Sequence, residues 1–155
     1  MTYRFKSLRW SDANAIRRWR YDDAYAFYDP DMMTLLPLVV LRLPLRAFGV
    51  EAFVVTDDMG ERIGLFDFIV RGRAVEIGLA MRPDLTGKGL GLAFVEAGMA
   101  FARARYSPRR FTLDVALFNE RARRVYERAG FKPVETFTRH TRNGPVDFLA
   151  MYRPA

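Results

Sequence analysis

Hydrophobic and polar positions change period repeatedly along this chain, and the changes mark out a mixed series of strands and helices. Residues 3–8 alternate apolar and polar as a half-buried strand does, and Ser11 or Asp12 is placed to cap a short helix carrying Ile16 and Trp19 on one face. Residues 21–48 contain Pro30, Pro37 and Pro44 among clustered aromatics without a clean apolar period, so a short helix plus loop is expected there. Residues 52–55 and 63–70 flank Asp57-Asp58-Met59-Gly60, whose turn chemistry predicts a hairpin. Arg71-Gly72-Arg73 then turns the chain into a strand over 74–81, which gives three sequential antiparallel strands. From residue 89 onward, Leu90, Ala93, Phe94, Ala97, Ala100, Phe101 and Ala104 recur at helical spacing. They are expected to form the sheet-facing stripe, with alanines that let the helix lie close to the strands. Ser107-Pro108 ends that helix, and residues 111–115 read as a fifth strand. A second helix opens at Asn119, a good N-cap, and stops at Gly130, a good C′ residue, with Glu120 and Arg124 paired at i and i+4. Residues 133–138 and 146–152 close the chain as a hairpin around Asn143-Gly144. No repeat, low-complexity tract or linker interrupts the series, so one domain spanning residues 1–155 is expected.

Composition narrows the classes. A chain of 155 residues, half of them hydrophobic, can bury a core without staples, and the absence of cysteine removes disulfides, thiolate metal sites and a cysteine acyl-enzyme. The first ten residues lack the apolar core of a signal peptide. The longest apolar stretch, residues 32–45, is broken by Pro37, Arg42 and Pro44 and is too short to cross a bilayer, so a cytoplasmic protein with no membrane partner is expected. The net charge of +7 invites a nucleic-acid reading. The arginines are nevertheless spread along the chain, with a concentration in its second half, and most read as solvated surface; nucleic acid is not expected as a partner.

One segment carries chemistry. Residues 75–92, VEIGLAMRPDLTGKGLGL, combine an apolar strand, a bend with proline, and three glycines at alternate positions opening a helix. Unbonded amides and the macrodipole at such a helix start favour an anion, above all a pyrophosphate. A P-loop requires a hydroxyl residue after Gly-Lys, and here Gly87-Lys88 is followed by Gly89. A dinucleotide fingerprint requires G-x-G-x-x-G at the first strand of a βαβ unit, whereas Gly87, Gly89 and Gly91 give G-x-G-x-G late in the chain.

The hexapeptide Thr86-Gly87-Lys88-Gly89-Leu90-Gly91 resembles the acyl-CoA pyrophosphate loop of the GNAT superfamily of N-acetyltransferases, where Arg or Gln followed by x-x-G-x-Gly/Ala comes after the fourth strand. Thr86 departs from the pattern at its first position, which removes one side-chain contact and leaves the backbone contacts intact. Asn119, Ala122, Tyr126, Gly130 and Phe131 are similarly spaced to the superfamily's N-x-x-A-x-x-x-Y-x-x-x-G-F segment. The resemblance implies an α+β fold with a mostly antiparallel twisted sheet of about six to seven strands flanked by about four helices. It also implies an enzyme, an acetyl-CoA-dependent N-acetyltransferase that moves the acetyl group to a primary amine of a small molecule or protein by direct attack, as a monomer or homodimer. A non-catalytic CoA-binding or interaction module on the same scaffold is the alternative. A positive rim of arginines would steer the polyanionic CoA.

By this resemblance the backbone of Gly87, Lys88, Gly89, Leu90 and Gly91, with Thr86 before it and Asn119 on the next helix, holds the cofactor. Lys88 adds a cation or is plain surface, and Asn119 divides its role between helix cap and cofactor contact. Main-chain groups of Leu79 and Met81 meet the pantetheine arm. Tyr126 is the candidate general acid: a phenol of reference pKa about 10 is protonated at neutral pH and can donate to a thiolate of reference pKa about 8.5. A buried, satisfied tyrosine is the plain alternative. Glu76 matches a site where some members place a general base, and it reads equally as a solvent-facing strand residue. A base matters more for a lysine, whose neutralisation at pH 7 costs about 4.6 kcal/mol, than for an α-amine, at about 1 kcal/mol, where a water relay suffices. The acidic and aromatic run 19–29 could enclose a cationic amine with Asp22 or Asp23 as counter-charge, or be the two faces of an irregular segment. His140, the single histidine, reads as loop surface, and no metal-ligand spacing is present.

Overall fold

The computed structural model describes all residues, Met1–Ala155. Seven strands form one sheet of order β1-β2-β3-β4-β5-β7-β6, and five α-helices accompany it, one more than the resemblance implies. The contacts gather into two compact units, Met1–Val70 with Leu79–Thr86, and Arg71–Gly78 with Gly87–Ala155. No helix is long and apolar enough to cross a membrane.

In the first unit, β1 (Arg4–Ser7), β2 (Val50–Thr56) and β3 (Arg62–Arg71) pair antiparallel. Period-2 alternation gives this sheet two apolar faces. Ala52, Val54 and Leu65 point to the side covered by α1 (Trp10–Ile16) and α2 (Met32–Val40), where Ala13, Ile16 and Leu35 complete a core. Phe5, Phe53, Phe66 and Phe68 point the other way, with ring centroids 5.5 to 5.9 Å apart. The hairpin tip is held by the Asp57 carboxylate, which accepts from the amides of Met59 and Glu61 at 2.9 Å.

Two details differ from the sequence-based expectation. Helix α1 starts two residues earlier than a Ser11 cap allows: Arg9 is the N-cap, and Asp12, at the third helical position, accepts from the Arg9 amide at 3.0 Å and from Arg62 Nε at 2.8 Å. Residues 21–48 are more helical than their prolines suggest, forming a 3-10 turn (Asp23–Tyr28), α2, and α3 (Arg42–Ala47). Asp31 caps α2 through the Thr34 amide, and Pro37 lies inside it; the lost backbone bond is tolerated because Leu35 is buried and Leu38 and Val39 pack on the core. Pro44 falls in the first turn of α3, where no amide donor is needed.

The second unit contains α4 (Gly91–Tyr106), β5 (Arg110–Ala116), α5 (Glu120–Arg128), β6 (Lys132–Thr141) and β7 (Gly144–Pro154), with most of β4 (Ala74–Met81). Strands β4 and β5 run parallel with register from Ala74↔Arg110 to Glu76↔Thr112, while β5, β7 and β6 pair antiparallel. The buried face of α4 is Phe94, Val95, Gly98, Met99 and Ala102, and the alanines at 93, 100 and 104 are exposed. Of the expected stripe, Phe94 is buried and Leu90, Ala97 and Phe101 are half-buried, whereas the three exposed alanines do not face the sheet: alanine carries little apolar area, and Phe94, Val95 and Met99 set the buried face. Arg139 on β6 reaches Asp114 on β5 at 2.8 Å and lies over the Phe148 ring at 4.6 Å. His140 stands exposed within β6, paired with Pro145, rather than in a loop.

Candidate functional site

Strand β4 ends at Met81, and Pro83–Leu85 turn as a 3-10 helix before the glycines. Thr86, the departure from the loop pattern, donates its hydroxyl to the Pro83 carbonyl at 2.7 Å, alongside its own amide at 3.1 Å, and so closes this turn. Gly87 and Gly89 follow with φ of +74° and +77°, the left-handed region that other residues enter at a cost, and a Cβ on either would meet nothing within 4 Å. Open space and backbone curvature coincide at this loop. Lys88 between them is exposed.

Helix α4 begins immediately afterward. Leu90 is its N-cap, no side chain caps it, and the first bond into the helix runs from the Phe94 amide to the Leu90 carbonyl at 3.1 Å. The amides ahead of Phe94 thus lack an intrahelical acceptor and are available to an anion. Gly91 has a different reason to be glycine: a Cβ there would stand 3.0 Å and 3.4 Å from the two methyl groups of Val125, so it sets the close approach of α4 to α5.

Asn119 caps α5 by accepting from the Ala122 amide at 3.1 Å. At the other end the Gly130 amide bonds the Glu127 carbonyl and the Phe131 amide bonds the Tyr126 carbonyl, the paired 5→2 and 6→1 bonds of a Schellman motif, with Gly130 at φ +88°. The accompanying apolar contact is Tyr126 with Phe131, ring centroids 6.1 Å apart and edge to face. The half-buried Tyr126 ring is thereby oriented by the helix ending itself. Arg153 adds a bond from Nη1 to the Ala129 carbonyl.

Glu76 lies on the face of β4 opposite the buried Val75 and Ile77, partly exposed, with Arg71 Nε 4.0 Å from its carboxylate. The second unit therefore holds the glycine loop, Asn119, Tyr126 and Glu76, whereas Leu79, Met81 and Thr86 belong to the first. No group of three His, Asp or Glu side chains forms a metal-holding cluster.

The pattern of the Acetyltransferase (GNAT) family matches residues 13–131, more than half of the chain. The chain belongs to this family. Among solved structures, the GNAT chain is similar to a spermidine N-acetyltransferase from Vibrio cholerae in complex with CoA and spermine, with TM-score 0.77, 20% identity, and coverage of 98% of this chain and 95% of that one. A chimera of the Vibrio cholerae enzyme with hSSAT, carrying residues K23–Q34, gives TM-score 0.79 at 19% identity over 99% and 96% of the two chains. These likenesses establish the GNAT fold. A search of curated proteins finds no match.

One contact in the first unit of the GNAT chain had no sequence signal. The Tyr21 hydroxyl donates to the Met81 carbonyl at 2.6 Å, sixty positions away, at the end of β4. The Tyr21 amide in turn donates to Asp29 at 2.7 Å, and Asp31 is taken up by the α2 cap, which leaves Asp22 and Asp23 as the acidic side chains of this segment without a hydrogen bond or ion pair. Asp23 itself sits at φ +50°, an uncommon conformation for a residue with a side chain.

Proposed function

We propose that the chain is one acyl-CoA N-acyltransferase domain, which transfers the acetyl group of acetyl-CoA to a primary amine by direct attack. The observation that carries this reading is the glycine loop with its open left-handed turns and uncapped helix start, a cradle shaped by backbone for a pyrophosphate. The amides of Gly87 to Gly91 hold the pyrophosphate, Lys88 adds a cation, Asn119 contributes its remaining amide donors, and main-chain groups of Leu79 and Met81 meet the pantetheine arm.

Catalysis requires a bond from the amine nitrogen to the thioester carbon, a broken C–S bond, and movement of one proton from nitrogen to sulfur. Tyr126, oriented through Phe131, supplies the proton to the departing thiolate. Glu76, or water beside it, receives the amine's proton. The Vibrio cholerae enzymes of the same fold act on spermidine; for this chain, Asp22 and Asp23 are the carboxylates that suit a cationic amine.

Calorimetry with acetyl-CoA tests the cradle, and thiol release across a panel of primary amines that includes spermidine tests transfer. Submillimolar binding with thiol release supports the reading. Absence of binding at millimolar acetyl-CoA refutes it, and binding without transfer to any amine favours a non-catalytic CoA-binding module.

A further inference from the structure

The peptide joining Met81 to Arg82 is gripped on both sides. Its N–H, that of Arg82, donates to the Ile63 carbonyl on β3 at 2.9 Å, while its carbonyl, that of Met81, accepts from the Tyr21 hydroxyl at 2.6 Å. No peptide in the chain is cis, so the two groups of this unit point in opposite directions, and the Met81 carbonyl therefore faces the edge of β4 turned away from β3. The Tyr21 phenol stands at that edge. It is held there at its other end too: the Tyr21 amide is bound to Asp29 Oδ1 at 2.7 Å, and Arg20 Nε lies 3.9 Å from the second oxygen of the same carboxylate.

A strand edge with a free carbonyl pairs with any amide laid along it. A pantetheine arm carries two secondary amides, and on the functional reading given above the main chain at Met81 is one of their partners. We propose that Tyr21 is a latch on this edge: in the free protein its hydroxyl takes the Met81 carbonyl, and a pantetheine amide must displace it to bind. The inference rests on the acyl-CoA reading. The exchange replaces one neutral hydrogen bond by another, so the latch lowers affinity by about the net worth of the bond it breaks, roughly two- to tenfold.

Calorimetric titration of Tyr21→Phe with CoA, and separately with 3′-phosphoadenosine 5′-diphosphate, tests it, because the second ligand carries the pyrophosphate without the pantetheine arm. Tyr21→Phe is expected to bind CoA about two- to tenfold more tightly than the parent protein and to bind the shortened ligand equally well. Asp29→Ala, which frees the Tyr21 amide, is expected to act in the same direction on CoA alone. Unchanged or weaker CoA binding in Tyr21→Phe overturns the latch, as does an equal gain for both ligands. If the parent protein binds neither ligand, the acyl-CoA reading itself has failed; if it binds both with no difference between parent and variant, only the latch has.

Discussion

Gly89 in the loop and Gly91 at the start of α4, two positions apart, have different reasons to be glycine, and replacing each by alanine separates the proposed anion cradle from helix packing. Gly89→Ala places a Cβ in open space but keeps the backbone at φ +77°, so its cost is the left-handed conformation alone, about 1–2 kcal/mol. For a chain of this length that lowers the melting temperature by about 2–8 °C. Relaxation of the strain turns the loop amides away from a bound pyrophosphate. Losing one charge-assisted bond of about 1.5–3 kcal/mol weakens CoA binding roughly ten- to hundredfold. Gly91→Ala carries no such strain; its Cβ instead presses on Val125 at 3.0 and 3.4 Å. Overpacking of about 1 kcal/mol is largely offset by the gain of alanine over glycine in a helix, about 0.5–1 kcal/mol, so stability changes little. CoA affinity is expected to change less than threefold, and Val125→Ala should relieve the crowding in a double-mutant cycle. Melting curves and CoA titrations of the three single variants and the Gly91→Ala/Val125→Ala double variant decide the matter. Equal loss of CoA binding in Gly89→Ala and Gly91→Ala would refute this division of roles.

Tyr126→Phe removes the proposed proton donor while keeping the ring against Phe131, so it should lower the rate of thiol release about a hundredfold or more with CoA affinity unchanged, as read by steady-state kinetics beside calorimetry. Asp12→Ala strips the Arg9 amide and the Arg62 guanidinium of their shared carboxylate, a mostly buried acceptor, and should cost about 1.5–3 kcal/mol in urea unfolding. Burial raises the Tyr3 phenol above its ordinary value, so the stability tied to its neutral form is fully present below about pH 10 and is lost as pH rises through the raised folded value. Unfolding midpoints from pH 8 to 11 should therefore fall less steeply in Tyr3→Phe, and an identical slope would refute the assignment.

What the sequence revealed, it revealed through residues whose type is demanded by local backbone geometry. Asn119 and Gly130 bracket α5 because a cap acceptor and a left-handed residue are needed at those two places, and both are legible one residue at a time. The β2–β3 hairpin was legible for the same reason in Asp57 and Gly60. Where tertiary packing decides, the local signal misled. Alanines gave α4 a partly false stripe, since their period reports helix propensity more than burial, and Pro37 hid a helix that Leu35 holds in place from the core side. The Asp12 carboxylate looked like a cap, yet its second oxygen is held by Arg62, fifty positions away. The bond from Tyr21 to Met81 lies beyond any window of sequence periodicity, so the end of β4 could be read as a free edge only until the fold was known.

The spacing of the second motif now has a physical cause. In Y-x-x-x-G-F, tyrosine occupies the third position from the helix end, glycine the first left-handed residue and phenylalanine the next, which are the three places that a Schellman ending joins through its 6→1 bond and its apolar contact. One backbone device therefore stops α5, turns the chain toward β6 and fixes the direction of the Tyr126 ring. The close approach at Gly91 and Val125 links that same helix to the start of α4, whose amides lack an intrahelical acceptor. The proposed proton donor and the amides proposed to bind pyrophosphate thus sit on two helices in mutual contact, at positions set by backbone endings rather than by flexible side chains. Such an arrangement suits a reaction in which the protein contributes chiefly orientation, because a helix terminus holds its amides in place before the ligand arrives.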